Sequence, residues 1–271
     1  MSFGNIVVIV PMHKIEEKDI ALMTESYNSV VECRKLYSDG KLIVKYVVPK
    51  ELTGKIEDFS KDKEDCGYLV NEGQTDFCSQ INFAVKNLVN EFKYFSILEY
   101  DDTYRAKWFK MASDYYYSNE NVSVFLPVNI IHNGNGDQWQ YGNELPLAGS
   151  FSKKIGFIDF ECLENCSTFN LTGGIISSED FIAVGGFKPS IKIAFNYELL
   201  LRMTKKELGV MIVPKEGYVH TIGREGSLTD IYMKTIPNEE IPKWFELANR
   251  EYKYQEDRNK GISKAKAEEV K

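Results

Sequence analysis

Three acidic side chains fall within four positions at Glu99-Tyr100-Asp101-Asp102, directly after the apolar run Tyr94 to Leu98. Carboxylates gathered this closely repel one another unless a positive group compensates them. A divalent cation is the natural candidate, because Mg²⁺ and Mn²⁺ take oxygen ligands and are often shared between one or two carboxylates and a substrate diphosphate. Read plainly, the same string is only the polar loop that follows a strand. The chain has three histidines, His13, His132 and His220, and five cysteines, of which only Cys162 and Cys166 are close together. No second Cys/His pair of matching spacing completes a zinc site, so reduced thiols are the expectation. Gly223-Arg224-Glu225-Gly226-Ser227 sets a guanidinium among glycines, which suits closure over phosphates through Arg224 and exposed N–H groups; the alternative is a simple Gly-rich turn.

These residues must be positioned by regular elements. Ile6 to Val10 is an unbroken β-branched run stopped by Pro11, the pattern of a strand buried on both faces of a parallel sheet. Apolar residues at helical spacing from Asp19 to Tyr37, a strand from Lys41 to Val48, and the helix stop Asp39-Gly40 between them make the opening β-α-β. Glu51 to Asp65 reads as a loop or weak helix, Gly67 to Val70 as a short strand, and Asp76 to Phe92 as a helix. Tyr94 to Leu98 is a strand whose carboxyl end carries the acidic cluster, where open α/β sheets place their ligands. A helix through Trp108 to Tyr116 and a strand from Val122 to Ile131 follow. His132 to Pro146 reads as a long polar loop. Later, Gly173 to Ile176 is extended, Ser178 to Val184 and Tyr197 to Leu208 are helical, and Gly209 to Val213 is a strand. Pro242 onward starts as an amphipathic helix docked on the domain and becomes charged and apolar-poor beyond about Gln255, a composition expected to be disordered.

Composition narrows the function classes. The chain has 271 residues, 33 Lys+Arg against 40 Asp+Glu, and a formal charge of −7. A polybasic surface spread over the whole molecule is excluded, which disfavours a nucleic-acid partner without excluding a nucleic-acid acceptor. No apolar run approaches the roughly 20 residues needed to span a bilayer. No secretory signal is evident either, so a cytoplasmic location is expected.

Several ordered segments together resemble the glycosyltransferases of the GT-A fold, particularly family 2. They are the opening strand Ile6 to Pro11, the helix start Gly73 to Ala84 with Asn82 on the family's Asn, and the strand Phe95 to Asp102 with a D-x-D-D-like ending. They continue with Gly173 to Phe187, a Gly pair followed by a G-G-F turn, and with Tyr197 to Arg202, the end of an E-D-x-E-L-x-x-R helix. The resemblance covers roughly residues 5 to 228. It implies a Rossmann-like three-layer α/β/α sandwich with a mixed, mainly parallel central sheet, a GT-A domain at 1–235, and a helical, partly disordered tail at 236–271. The implied activity moves a sugar from a nucleotide-diphosphate donor, a UDP-sugar first, to a hydroxyl of a glycan or other acceptor, with Mn²⁺ or Mg²⁺ stabilising the leaving diphosphate. Position by position, Asp101, His220 and Glu99 are the implied metal ligands. Pro11, His13, Asn82, Glu99 and Arg224 fall on the donor side, and Asp102, Gly173, Gly174 and Trp139 on the acceptor side, with Tyr141 a second aromatic able to stack on a sugar.

Two departures accompany the match. The family's base position is occupied by Asn196, which cannot accept a proton, so either Glu198 or another carboxylate such as Asp180 substitutes, or the reaction retains configuration through a mechanism without that base, or catalysis is weak. Ile81 stands where the family commonly has Arg, with Arg105 and Lys107 the cations available to compensate. Asn196 keeps open a degenerate domain that binds a nucleotide sugar or glycan without turnover. A nucleotidyltransferase is the other alternative, opposed by the lack of glycine in Pro11-Met12-His13-Lys14 after the first strand.

Overall fold

The apolar run Ile6–Pro11 forms β1, buried on both faces near the middle of the sheet. The computed structural model describes residues 2–119, 121–133, 139–224 and 227–250. After β1 come α1 (Asp19–Arg34), β2 (Leu42–Pro49), α2 (Thr53–Ser60), β3 (Cys66–Asn71), α3 (Phe77–Leu88) and β4 (Tyr94–Ile97). The short β5 (Thr103–Tyr104) precedes α4 (Trp108–Tyr116) and the hairpin of β6 (Val122–Asn133) with β7 (Trp139–Gly142). β8 (Phe157–Ile158), α5 (Phe160–Asn165), β9 (Ile175–Ser177), α6 (Ser178–Ala183), α7 (Phe195–Lys205), β10 (Gly209–Ile222) and α8 (Leu228–Thr235) follow. Residues 241–250 are helical, and Phe245 packs on Tyr197 at 5.7 Å between ring centroids.

The sheet runs in the order β3-β2-β1-β4-β9-β6-β10-β5, with β7 added beside β6 and β8 beside β10. β1, β2, β3 and β4 are mutually parallel, as are β6 and β10, while β9 is antiparallel to both of its neighbours. Alternation along the strands sends side chains to opposite faces, and each face has its own core. Ile6, Val8 and Val10 pack with Met23 and Val30 of α1 and Trp108 and Phe109 of α4. Val7 and Ile9 pack on the other side with Ile81 and Val85 of α3 and Leu199 to Leu201 of α7. The result is a three-layer α/β/α sandwich with a mixed, mainly parallel sheet. Each fully buried Ile or Val contributes about 1.5–3 kcal/mol relative to exposure, so the strands that carry the site form a rigid floor.

Three segments differ from their sequence reading. Within 51–65, Ile56 and Phe59 are buried against the sheet, and this tertiary contact makes α2 a true helix despite its polar composition. The polar stretch 132–146 is no loop throughout: Trp139–Gly142 pairs with Asn129–His132. β10 continues well past Val213 to Ile222, because irregularities between Val213 and Tyr218 let the strand absorb Pro214 and resume pairing with β6. The tail beyond Arg250 lies outside the described residues.

Candidate active site

β2 and β3 are added on one side of β1 and β4 on the other, so the order of the parallel strands switches at β1, and the carboxyl ends of β1 and β4 are neighbours there. Met12 N–H donates to Val47 O at 2.9 Å and Leu98 N–H to Ile9 O at 3.0 Å, so Pro11 and Glu99 emerge side by side at the end of the sheet. This is where parallel α/β sheets open a ligand crevice. The end of β10 supplies the third wall: Glu99 N–H donates to the Tyr218 hydroxyl at 3.1 Å, two residues before His220.

Glu99, Asp102 and His220 each bring a ligand atom into one group, all within 4.8 Å of one another. Asp102 is buried, and its carboxylate accepts from His220 Nδ1 and from Thr221 N–H, each at 2.8 Å. Its role is therefore to fix the imidazole's orientation and direct Nε2 away from itself, the arrangement that carboxylates give to metal-binding histidines. Burial alone lowers the basicity of His220, but Asp102, Glu99 and Asp101 outweigh it and push the imidazole up to about 9. Burial and the charge of Asp102 push Glu99 up to about 8. Asp101 is turned to Arg224, whose Nε donates to its Oδ2 at 2.7 Å, and burial together with Asp102 raises this carboxyl as well. Arg224 also donates to the Tyr100 hydroxyl at 2.6 Å, lies over that ring, and approaches Asp19 at 3.7 Å.

Two adjoining clefts meet here. One runs between Pro11, His13, Asp101 and Arg224. The other, larger one is walled by Phe77, Asn170, Thr172, Ile191, Asn196 and Tyr232. Phe77, Glu99 and His220 line both. In the first cleft His13 presents a buried Nε2 that has no hydrogen-bond partner among the described residues, and its imidazole is lowered, by burial first and then by Lys14. A hard divalent cation suits this donor set of carboxylates and an oriented imidazole. Glu99 and His220 are the ligands the geometry offers directly, with Asp101 behind its ion pair to Arg224.

The remaining residues singled out from the sequence lie in different places. Asn196 faces the larger cleft, its amide donating to Asn170 Oδ1 at 3.2 Å. Glu198 on the same helix is fully buried, paired with Arg202 at 2.7 Å and Lys188 at 2.7 Å. Asp180 sits in the first turn of α6, just after Ser177, which pairs with Tyr94 at the amino end of β4, the end away from Glu99. Asn82 clasps Phe187, donating to its O at 2.7 Å and accepting from its N–H at 2.8 Å, which spends the side chain on the G-G-F turn. Gly173 and Gly174 answer packing demands: a Cβ would stand 2.5 Å from the Tyr218 ring in the first case and 2.7 Å from Leu126 in the second. Trp139 pairs through its backbone with His132, and its side chain lies outside the described part, as do Glu225 and Gly226. Tyr141 is exposed and donates to Glu216 at 3.0 Å. Ile81 is core. Arg105 approaches Glu216 at 3.9 Å.

Sequence reasoning missed Asp76, Asp19, Asn170, Thr172 and Tyr232. Asp76 caps α3, accepting from Ser79 N–H at 3.0 Å, and lines the larger cleft. Its only signal was being an Asp at the start of a helical pattern.

No protein-family model matches the chain, and no curated protein matches it in sequence. Solved structures match its shape. S. aureus TarS is 17% identical, with a TM-score of 0.58 over 84% of this chain and 38% of that one. Residues 1–349 of S. aureus TarS in complex with UDP-GlcNAc give 16% identity and a TM-score of 0.63, over 90% of this chain and 65% of that one. GalNAc-T7 with UDP, GalNAc and Mn²⁺ gives 11% and 0.54, over 83% and 45%. The chain thus has the fold of the GT-A glycosyltransferases, and it spans less than two thirds of each of these neighbours. No helix among the described residues is long and apolar enough to cross a membrane.

Proposed function

We propose that the chain is a glycosyltransferase that takes a sugar from a nucleotide-diphosphate donor, a UDP-sugar first, and passes it to a hydroxyl acceptor. The observation that carries this reading is the meeting of two clefts at Glu99 and His220, at the carboxyl ends of β1 and β4. The donor lies in the cleft between Pro11 and Arg224, and the acceptor in the cleft between Phe77 and Asn196. Arg224 exchanges Asp101 for the donor's diphosphate, a charge-assisted and potentially bidentate contact. His13, whose buried Nε2 has no hydrogen-bond partner among the described residues, is positioned to bond the same ligand. Glu99, His220 and Asp101 would hold Mn²⁺ or Mg²⁺, with Asp102 orienting the imidazole. When bound, such a cation offsets the negative charge that develops on the departing diphosphate. The fold of the neighbours, one solved with UDP-GlcNAc and another with UDP and Mn²⁺, supports this reading.

The test is nucleoside diphosphate release from a panel of nucleotide sugars with Mn²⁺ or Mg²⁺, alongside thermal shifts. Metal-stimulated release of UDP is the expected result. Pyrophosphate exchange in its place would identify a nucleotidyltransferase. Asn196 at the base position favours one further reading, a domain that binds the donor without turnover, for which stabilisation without release is the signature.

A further inference from the structure

Transfer to a hydroxyl needs a group to take its proton, and α7 presents Asn196 to the acceptor cleft where the resemblance puts a carboxylate. We propose that Asp76 is that general base, acting from α3 on another wall of the cleft; this rests on the transferase reading above. Among the described residues lining this cleft, the carboxylates are Asp76 and Glu99. Glu99 belongs to the cation-competent group with Asp102 and His220. Glu198 is enclosed behind the wall by Arg202 and Lys188, and Asp180 lies beyond the far end of β4. Asp76 remains.

Its setting suits the role. One oxygen, Oδ1, accepts from Ser79 N–H, which fixes the carboxylate's orientation and leaves Oδ2 for a substrate proton. The helix behind it is anchored: Ile81, Ala84 and Val85 are core, and Gln80 Nε2 donates to Met12 O at 2.8 Å across a buried contact to the end of β1. Asp76 is thus tied to the donor cleft through a single rigid connection. Tyr232 on α8 feels its charge, and burial followed by Cys78 and Asp76 raises that phenol. Asn196, Asn170 and Thr172 supply neutral groups able to orient an acceptor hydroxyl without competing for its proton.

The step balances. The acceptor oxygen bonds to the anomeric carbon as its proton passes to Asp76 Oδ2. The bond from that carbon to the diphosphate oxygen breaks, and its electron pair leaves on the diphosphate. Attack from the cleft opposite the leaving group inverts the anomeric configuration.

Asp76→Asn tests this cleanly, because Asn is as good a helix cap as Asp and only the basicity is lost. Asp76→Ser keeps a cap with a smaller side chain and serves as the second variant. With the UDP-sugar that the wild type turns over fastest, UDP release by either variant is expected to fall about 100-fold or more. Donor affinity by titration and melting temperature are expected to stay as in the wild type. Sodium azide, a nucleophile with no proton to lose, is expected to restore release and yield an inverted glycosyl azide. Release within about threefold of wild type, or a loss that azide does not relieve in a folded, donor-binding variant, overturns the assignment of Asp76 alone. A wild type that turns over no nucleotide sugar overturns it together with the transferase reading.

Discussion

Glu198→Gln separates a structural carboxylate from a catalytic one. Glu198 is fully buried and meets Arg202 through both oxygens, at 2.8 Å to Nε and 2.7 Å to Nη2. Arg202 in turn donates to the carbonyls of Val184 and Gly186, so this pair pins the turn that Asn82 clasps from the other side. Gln preserves volume but leaves a guanidinium that is 13% exposed without its counter-charge. Removing one partner of a buried pair costs about 3–5 kcal/mol, and the amide oxygen that Gln retains argues for the lower figure, about 3 kcal/mol. For a domain of this size about 2–4 °C of melting temperature is lost per kcal/mol, which gives a fall of about 6–12 °C. Lys188→Met removes the half-exposed partner and is expected to cost less than about 1 kcal/mol. Differential scanning calorimetry measures both. A Glu198→Gln variant that melts with the wild type and yet loses sugar transfer would refute the structural assignment and restore Glu198 as a base.

The cation site predicts a pH dependence with a definite sign. Glu99 at about 8 and His220 at about 9 both hold protons at neutral pH, so a cation must displace them, and Mn²⁺ affinity by calorimetry should rise with pH from about 6.5 and level off above about 9; affinity that falls or stays flat would sink the ligand assignment. Arg224→Ala is expected to weaken UDP binding about tenfold or more and also to lower the melting temperature, since it leaves the largely buried Asp101 and the buried Asp19 without their cation; unchanged UDP affinity in the folded variant would refute the donor contact. Gly173→Ala is expected to destabilise by at least about 2 kcal/mol, because φ is +79° and the new Cβ would stand 2.5 Å from the Tyr218 ring. Denaturant unfolding within about 0.5 kcal/mol of wild type would contradict that packing.

Much of this was legible where local pattern and tertiary role coincide. The run Ile6 to Val10 is apolar because both faces of β1 are covered, and the Glu99 to Asp102 string is acidic where the sheet ends. α2 was harder to read, since only Ile56, Phe59 and the small Ser60 are buried. β5 and β8 are two-residue bridges with no periodicity of their own. In the site, the order of motifs located the cluster, but division of labour within it depends on side-chain direction. Asp101 and Asp102 are adjacent, yet one meets Arg224 and the other His220 and Thr221, residues more than a hundred positions away. Asn82 was visible as a motif position, whereas its partner Phe187 is a matter of folding.

The irregular middle of β10 has a consequence for how this chain can change length. Val213 faces Pro127 and Tyr218 faces Asn129, so five steps along β10 span two along β6, and three residues are extra. Three is odd, and the parity of the strand is inverted: Ile212 belongs to the core on one face of the sheet, and Tyr218, also even-numbered, to the core on the other. His220 inherits the face of Tyr218, next to Asp102. His220 keeps that face only while Tyr218 resumes pairing opposite Asn129: a register slip of one residue beyond the irregular segment would turn His220 to the opposite face and present a neighbour in its place, whereas a change of length taken up within 214–217 leaves it beside Asp102. The irregular segment is therefore where β10 can change length without moving the histidine.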